Sequence, residues 1–390
     1  MVSDAMTNLP AEEQVLFCVA RRELDDDDVT SLRNLLTQSL DWDYLHTFAF
    51  DQGLLMLLAT HLVANCADLL PLTVLNRLRT ELLTNRQSNL YLLSELVRVL
   101  SQFEKAGIDA LAFKGPVLAQ LAYEDTGMRQ AGDLDILIRR EDFGSAVEAL
   151  RELRYEMGFR LTAAQQKARL RFHCELFFPH ANCFSVVDLH WGITPKTFPL
   201  TLTSDDFLAN RRKTSVAGQT IDTFTDEDLI FYLSLHAAKH YFRKLEWMTT
   251  IAELIRNHSA LSWSTLRAKA SETKTEKIVC LTLMLVESVY RLPLPDAFKD
   301  LGESAELKKT VGEIRSDLLA SPIVPRGLKA FRWNLRFLTK KDAYLSFARA
   351  TFLPTVADWQ AFSLPDVLYP AYYFLRPVRL LTKYGGRRKD

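Results

Sequence analysis

Paired cysteines are missing from this sequence. Its five cysteines, Cys18, Cys66, Cys174, Cys183 and Cys280, are odd in number and form no CxxC motif, which argues against a disulfide framework and predicts reduced thiols in a cytoplasmic protein. A charge of one sign is missing as well. The 48 lysines and arginines balance the 48 aspartates and glutamates, so no global field steers the chain toward nucleic acid and no general nucleic-acid binding is expected. A local basic cleft stays compatible with that balance. Apolar runs stay below the roughly 18 residues that a membrane span needs, which predicts no transmembrane segment. The opening stretch MVSDAMTNLPAEEQ has neither the basic nor the apolar region of a secretion signal. Internal repeats and low-complexity tracts are absent too.

What is present is material for a large buried core, enough for two or three domains in 390 residues. From Pro10 to about Glu104 apolar residues recur at three and four spacing, as in LTVLNRLRTELLTNRQSNLYLLSELVRVLSQFEKAG, which predicts helices, the last closed by Gly107. The period then changes. IDALAF reads as a strand, KGPVLAQLAYED as a helix opened by Gly115 and Pro116, DLDILI as a strand, and REDFGSAVEALRELRYEMGF as an amphipathic helix closed by Gly158. RFHCELFF and CFSVVDLHW read as a strand pair joined by the tight link PHAN. After the cap Thr225 and an acidic first turn, one helix is expected from about Asp226 to Asn257. Beyond it Pro293, Pro295, Pro322, Pro325, Pro354 and Pro365 divide the chain into short helical elements, and the basic tail RPVRLLTKYGGRRKD is expected to fray after Gly385. The expected division is a helical region over 1–104, a small mixed α/β core over 105–222, and a helical region with a basic tail over 223–390.

The stretch QAGDLDILIRREDF, residues 130–143, sets two acids in an apolar run. Alternation puts Asp133, Asp135 and Leu137 on one face of a strand and Leu134, Ile136 and Ile138 on the other. An edge strand with a wet face explains this. So does a divalent metal, because like charges two residues apart repel, no cation follows until Arg139 and Arg140, and Mg²⁺ takes carboxylates alongside water and phosphate oxygens. In the hairpin, pairing Phe178 with Cys183 sets His173 opposite Asp188 and Glu175 opposite Val186, which gathers Asp188, His190, His173 and Glu175 on one face. A slip of one residue scatters them. Two acid-bearing strands side by side bring three carboxylates together, an arrangement that two-metal phosphoryl transfer uses.

Six stretches, LAFKGPVLAQLAY, MRQAGDLDILI, RYEMGF, HCELFF, VDLHW and LHAAKHYFRKLEWMTTIAEL, in that order and spacing, resemble the bacterial nucleotidyltransferase-like proteins of the DNA polymerase β superfamily. The resemblance covers about residues 85 to 255 and continues more thinly through FLPTVADW and YYFLRPVRLL. It implies an α+β fold, with a small mixed-sheet nucleotidyltransferase-like core embedded between helical regions. It also implies Mg²⁺- or Mn²⁺-dependent transfer of a nucleoside monophosphate from an NTP, with ATP the expected one, to an acceptor hydroxyl on a small molecule or protein. By the same resemblance Asp133 and Asp135 are paired metal ligands and Asp188 is the third catalytic acid. Two departures stand out. Lys114-Gly115 replaces the superfamily's Gly-Ser or Gly-Gly, with a longer gap to Asp133, and Thr250 stands where related proteins tend to carry an aspartate. Gly115 still lets a phosphate approach a helix N-terminus, and Lys114 adds a point charge.

Arg129, just ahead of the acidic strand, is placed for a phosphate; a surface arginine is the alternative. On the helix after Thr225, His236, Lys239 and His240 form a polar stripe expected to face the acids, with Lys239 and His240 as phosphate contacts. HAAKH lacks the glutamate of HExxH, and a stripe facing bulk solvent is the alternative. Cys174, Cys183, His173, His180 and His190 have no paired zinc-ligand spacing. Trp191 and Trp247 read as core. Three functions follow: an active nucleotidyltransferase, a degenerate relative that binds nucleotide or a partner without turnover, and a helical adaptor with a purely structural core. Buried acids without partners count against the adaptor. The acceptor is not legible, since fold does not fix substrate.

Overall fold

Helical spacing dominates the sequence, and the computed structural model is accordingly mostly helical, with six short strands among its described residues. These are 9–385 apart from 197, 199–201, 259 and 320–327. Pro322, Pro325 and the tail after Gly385 fall outside them. The fold is α+β, as the sequence predicts. Contacts divide the chain into one unit of Met1–Ser101, Leu111–Asp135 and Asn210–Val324 and a second of Gln102–Ala110, Ile136–Ala209 and Pro325–Asp390.

Ala110–Ala112 (β1), Leu134–Ile138 (β2), Glu175–Pro179 (β3) and Val186–His190 (β4) form one mixed sheet in the order β1-β2-β4-β3. All five residues of β2 are buried, so this is an interior strand covered on both faces. That rules out the wet edge strand as the reason for Asp135, the one acid within β2; Asp133, expected on the same strand, precedes it.

The β3–β4 hairpin has a longer connection than PHAN allows. Phe178 pairs with Val187 instead of Cys183, and the turn is closed by His180 N–H donating to Ser185 O at 2.9 Å. The displacement is four residues, from 183 to 187, and an even displacement preserves alternation. Glu175 therefore still shares a face with Asp188 and His190. His173 does not join them, because it caps the helix Ala163–Phe172, which occupies the start of the expected strand.

Three further expectations are corrected by backbone conformation. The helix after β2, Phe143–Glu152, stops where Arg154 turns left-handed at φ 66°, well before Gly158. The helix expected over Asp226–Asn257 is two, Asp226–Lys239 and Leu245–Asn257, because Tyr241 and Phe242 take φ of 60° and 53°. Its start is as expected, with Asp228 N–H donating to Thr225 Oγ1 at 3.3 Å. A second hairpin, Arg212–Val216 (β5) with Gln219–Thr223 (β6), was not anticipated. Its signal was present in the alternation of RKTSV and QTIDT around Ala217-Gly218, whose positive φ values suit a two-residue hairpin turn. Four cysteines are buried and Cys183 is half-buried, all as free thiols. Among the described residues no helix is long and apolar enough to cross a membrane.

Candidate functional site

Strand β1 hands the chain to Phe113, whose N–H donates to Asp135 O at 3.4 Å. Gly115 then opens the helix Gly115–Tyr123 at φ +58°, and Pro116 follows in the first turn. A Cβ on Gly115 would stand 2.8 Å from the carbonyl oxygen of Asp133. The glycine thus serves the close approach of the acidic segment's own backbone, a reason for it that the sequence did not reveal. Gly115→Ala is expected to lower stability by about 2 kcal/mol, from the left-handed conformation together with the overlap. Urea denaturation checks it, and an unchanged midpoint would mean that the contact relaxes freely.

Lys114, Arg129, Asp133, Asp135 and His236 line one cavity of about 70 Å³ in the first unit. Asp133 immediately precedes β2 and is half-buried, while Asp135, within the strand, is 2% exposed. The cation that the local sequence did not supply comes from 21 residues upstream: Lys114 Nζ lies 2.7 Å from Asp135 Oδ1. The same ammonium sits 5.7 Å from the Tyr232 ring centre and 6.0 Å from that of Phe113. Burial works against the Lys114 charge, but Asp135 outweighs it and holds the lysine pKa well above its ordinary value. A residue expected to touch phosphate therefore holds a carboxylate.

Arg129 is similarly engaged. Its Nε lies 2.7 Å from Glu246 Oε1, and although burial opposes the charge, Glu246 raises the guanidinium pKa further. Glu246 was missed in the sequence, where its one signal is an acid inside the apolar run LEWMTT. Two asparagines one turn apart on the helix Leu72–Lys105 fix the segment leading to Arg129. Asn89 Nδ2 donates to Thr126 O at 2.5 Å and Arg129 O at 2.8 Å, and Asn85 Nδ2 donates to Gly127 O at 2.8 Å.

His236 contributes a neutral imidazole. Burial first, and then the neighbouring Lys114, push its pKa well below the usual histidine value. Its Nδ1 is 3.4 Å from Tyr232 OH and its ring meets Trp247 edge-on at 5.3 Å. Trp247, expected only as core, lines the cavity too, as does Thr250, whose Oγ1 is 3.2 Å from Tyr123 OH. Lys239 and His240 are not among the lining residues; the His240 ring lies 4.7 Å from that of His236.

In the second unit Asp188 and His190 lie on β4, the neighbour of β2 in the sheet. His190 is buried, with Nε2 3.5 Å from Asp188 Oδ2 and Nδ1 3.5 Å from Glu175 Oε2. Burial lowers the pKa of His173, off this face, to about 4.

The carboxylates of Asp133 and Asp135 are hard oxygen donors of the type that Mg²⁺ and Mn²⁺ take, and about 70 Å³ accommodates an ion with one or two waters. These residues fit such an ion, provided that Lys114 gives up Asp135 Oδ1.

Among known proteins, no curated protein matches the chain. Two solved structures are similar to it. The antibiotic-resistance factor ANT(2'')-Ia is 12% identical with a TM-score of 0.31, over 46% of this chain and 89% of that one. An antigenic nucleotidyltransferase-like protein from Paracoccidioides brasiliensis is 13% identical with a TM-score of 0.29, over 59% and 92%. Likenesses of this degree carry nothing about substrate. The family described as uncharacterised nucleotidyltransferase matches residues 38–291, a span that takes in the cavity, β2 and β4. The chain belongs to that nucleotidyltransferase family.

Proposed function

We propose that this protein transfers a nucleoside monophosphate from an NTP, ATP being the first candidate, to a hydroxyl of a small molecule or protein. The observation that carries this reading is one cavity in which the acids Asp133 and Asp135 meet the cations Lys114 and Arg129 at the start of a helix. Asp133, Asp135 and Asp188 are the proposed metal ligands. Asp188, on β4, offers a further carboxylate, a donor that suits Mg²⁺ and also Mn²⁺. When bound, a divalent ion polarises phosphoryl oxygens and lowers the pKa of an attacking hydroxyl.

The chain's own residues do the rest. Lys114, on leaving Asp135, and Arg129, on leaving Glu246, hold the departing pyrophosphate, and the N–H groups of Gly115 and Val117, either side of Pro116, donate to its oxygens. Asp188 takes the proton of the acceptor hydroxyl. His236, being neutral, donates or accepts a hydrogen bond without adding charge. Lys239 and His240 are proposed as contacts for the part of the nucleotide that exceeds the small cavity. The free thiols suit a cytoplasmic setting.

A second reading, nucleotide or partner binding without turnover, is favoured by one observation: Lys114 already neutralises Asp135. Calorimetric titration with each NTP and Mg²⁺ or Mn²⁺, followed by a pyrophosphate assay in the presence of a panel of small hydroxyl compounds and proteins as acceptors, separates the two. The transferase reading expects metal-dependent pyrophosphate release that Asp135→Asn lowers at least about 100-fold. Binding without pyrophosphate selects the second reading. The absence of both heat and pyrophosphate with every NTP sinks the transferase reading and nucleotide binding together, and leaves partner binding.

A further inference from the structure

Gly158, in the second unit, does not close the helix that it was expected to close, and it is not among the glycines with positive φ. Space is what it supplies. A Cβ at this position would stand 1.8 Å from Phe177 Cε2 and 2.5 Å from Cδ2 and Cζ, so the phenylalanine ring occupies the place that a side chain would take. The Gly158 N–H donates to Phe177 O at 3.1 Å, which ties the two segments together. Phe159 meets the same ring edge-on, with centroids 5.4 Å apart. Held in this way, Phe177 is still 42% exposed.

A lone exposed phenylalanine is common on protein surfaces. This one stands directly opposite Asp188 in the β3–β4 register. Opposed residues of an antiparallel pair share a face, with β-carbons about 5 Å apart, so the ring flanks the carboxylate to which the transferase reading gives the acceptor's proton. Glu175 and His190 face the same way, whereas Leu176, Phe178, Val187 and Leu189 fill the core on the other side. The side chains of Asp188 and Glu175 remain 22% and 34% exposed. One aromatic plane thus lies beside two carboxylates, which when ionised accept hydrogen bonds and donate none. Small-molecule sites combine apolar planes with a few placed polar groups in this manner. A saccharide ring matches both parts: its C–H face meets the negative face of the phenylalanine, and its rim supplies hydroxyl donors for both acids. A tyrosine side chain has the plane but a single hydroxyl, and an open-chain polyol has the hydroxyls but no plane.

We propose that the acceptor is a saccharide and that Phe177, resting on Gly158, is the platform on which its ring stacks, so that one hydroxyl meets Asp188 and another meets Glu175. This assignment rests on the transferase reading for the role of Asp188 and adds the chemical class of the acceptor. The saccharide oxygen forms its bond to the α-phosphorus as the bond to pyrophosphate breaks, and the hydroxyl proton passes to Asp188; the products are a saccharide joined to the nucleoside through a phosphodiester, and pyrophosphate. Phe177 sets specificity by touching the substrate. Gly158 acts through Phe177 and is a positioning residue.

Saturation-transfer NMR on the full chain, with the aromatic protons irradiated, tests this without NTP or metal. The probes are methyl β-glucoside, methyl β-galactoside and methyl α-mannoside, set against open-chain sorbitol and N-acetyltyrosinamide. At least one glycoside should take up saturation, most strongly at the protons on one face of its ring, and sorbitol should not. Phe177→Leu should weaken glycoside binding about fivefold or more, Gly158→Ala should do the same with Phe177 intact, and Phe177→Trp should retain it. Because the ring is partly exposed, Phe177→Leu should leave the thermal transition in place, which separates lost binding from lost fold. The proposal falls if none of the glycosides binds, if sorbitol binds as well as they do, or if Phe177→Leu binds them like the wild type. It falls too if N-acetyltyrosinamide alone binds, which would give the platform to a protein acceptor. Failure here leaves the transferase reading to its own titration with NTP, while failure of that titration removes the role of Asp188 and leaves the glycoside signals as they are.

Discussion

Lys114→Met is expected to lower the unfolding free energy of the metal-free protein by about 3–5 kcal/mol. Asp135, 2% exposed, loses the ammonium that lies 2.7 Å from its Oδ1. Asp135→Asn is expected to destabilise in the same direction, because it leaves the lysine cation under the rings of Phe113 and Tyr232 without its counter-charge. The double replacement Lys114→Met with Asp135→Leu should recover most of the loss, since exchanging a whole buried ion pair for apolar groups is often nearly neutral. Urea denaturation of the wild type and three variants closes a double-mutant cycle. A coupling below about 0.5 kcal/mol would mean that the pair is not what makes Asp135 tolerable in the strand. The sign is informative. Two bare carboxylates would relax when one is neutralised, whereas an acid held by a lysine does not.

Asp358→Asn should cost about 3 kcal/mol, because it removes the one carboxylate that Arg376 and Arg379 share in the buried face of the second unit's last helix. The effect should depend on pH. Burial raises the Asp358 pKa, but Arg379, Thr355 and Arg376 lower it more, so the folded value lies below the unfolded one. The native state therefore binds fewer protons than the unfolded state. The carboxylate's contribution is fully present above about pH 4 and is lost as pH falls through the folded value. Wild type and variant should differ most near neutrality and converge in strong acid. A difference that persists undiminished near pH 3 would assign the loss to something other than the ion pairs.

What the sequence made legible was local. The apolar run around Asp135 is a buried strand, Thr225 caps a helix, and Gly115 with Pro116 opens one, each signal lying within a few residues of its consequence. Parity in the β3–β4 hairpin survived an error of register because side chains alternate every residue, so a four-residue displacement returns the same face. What stayed hidden required partners distant in the chain or conformations without a composition signal. Lys114 neutralises Asp135 from another element, and Glu246 reaches Arg129 from a helix more than a hundred residues away. Tyr241 and Phe242 break a helix although neither is a turn former. The 70 Å³ cavity is likewise a product of tertiary packing, and nothing in the spacing of Asp133, His236 and Thr250 encodes it.

The thiols, finally, time the molecule's openings. Cys18, Cys66 and Cys280 belong to the first unit and Cys174 to the second, all buried, while Cys183 stands half-buried at the β3–β4 connection. Burial pushes the Cys18 thiol up to about 11 and that of Cys280 to about 12, so neither is a thiolate near neutrality. A maleimide offered to the native protein therefore reacts first at Cys183, and each later adduct records the moment at which its own unit exposes a cysteine. Mass spectrometry of such a time course reads the two units as separate clocks without any added probe. Lys114→Met would advance the one and Asp358→Asn the other.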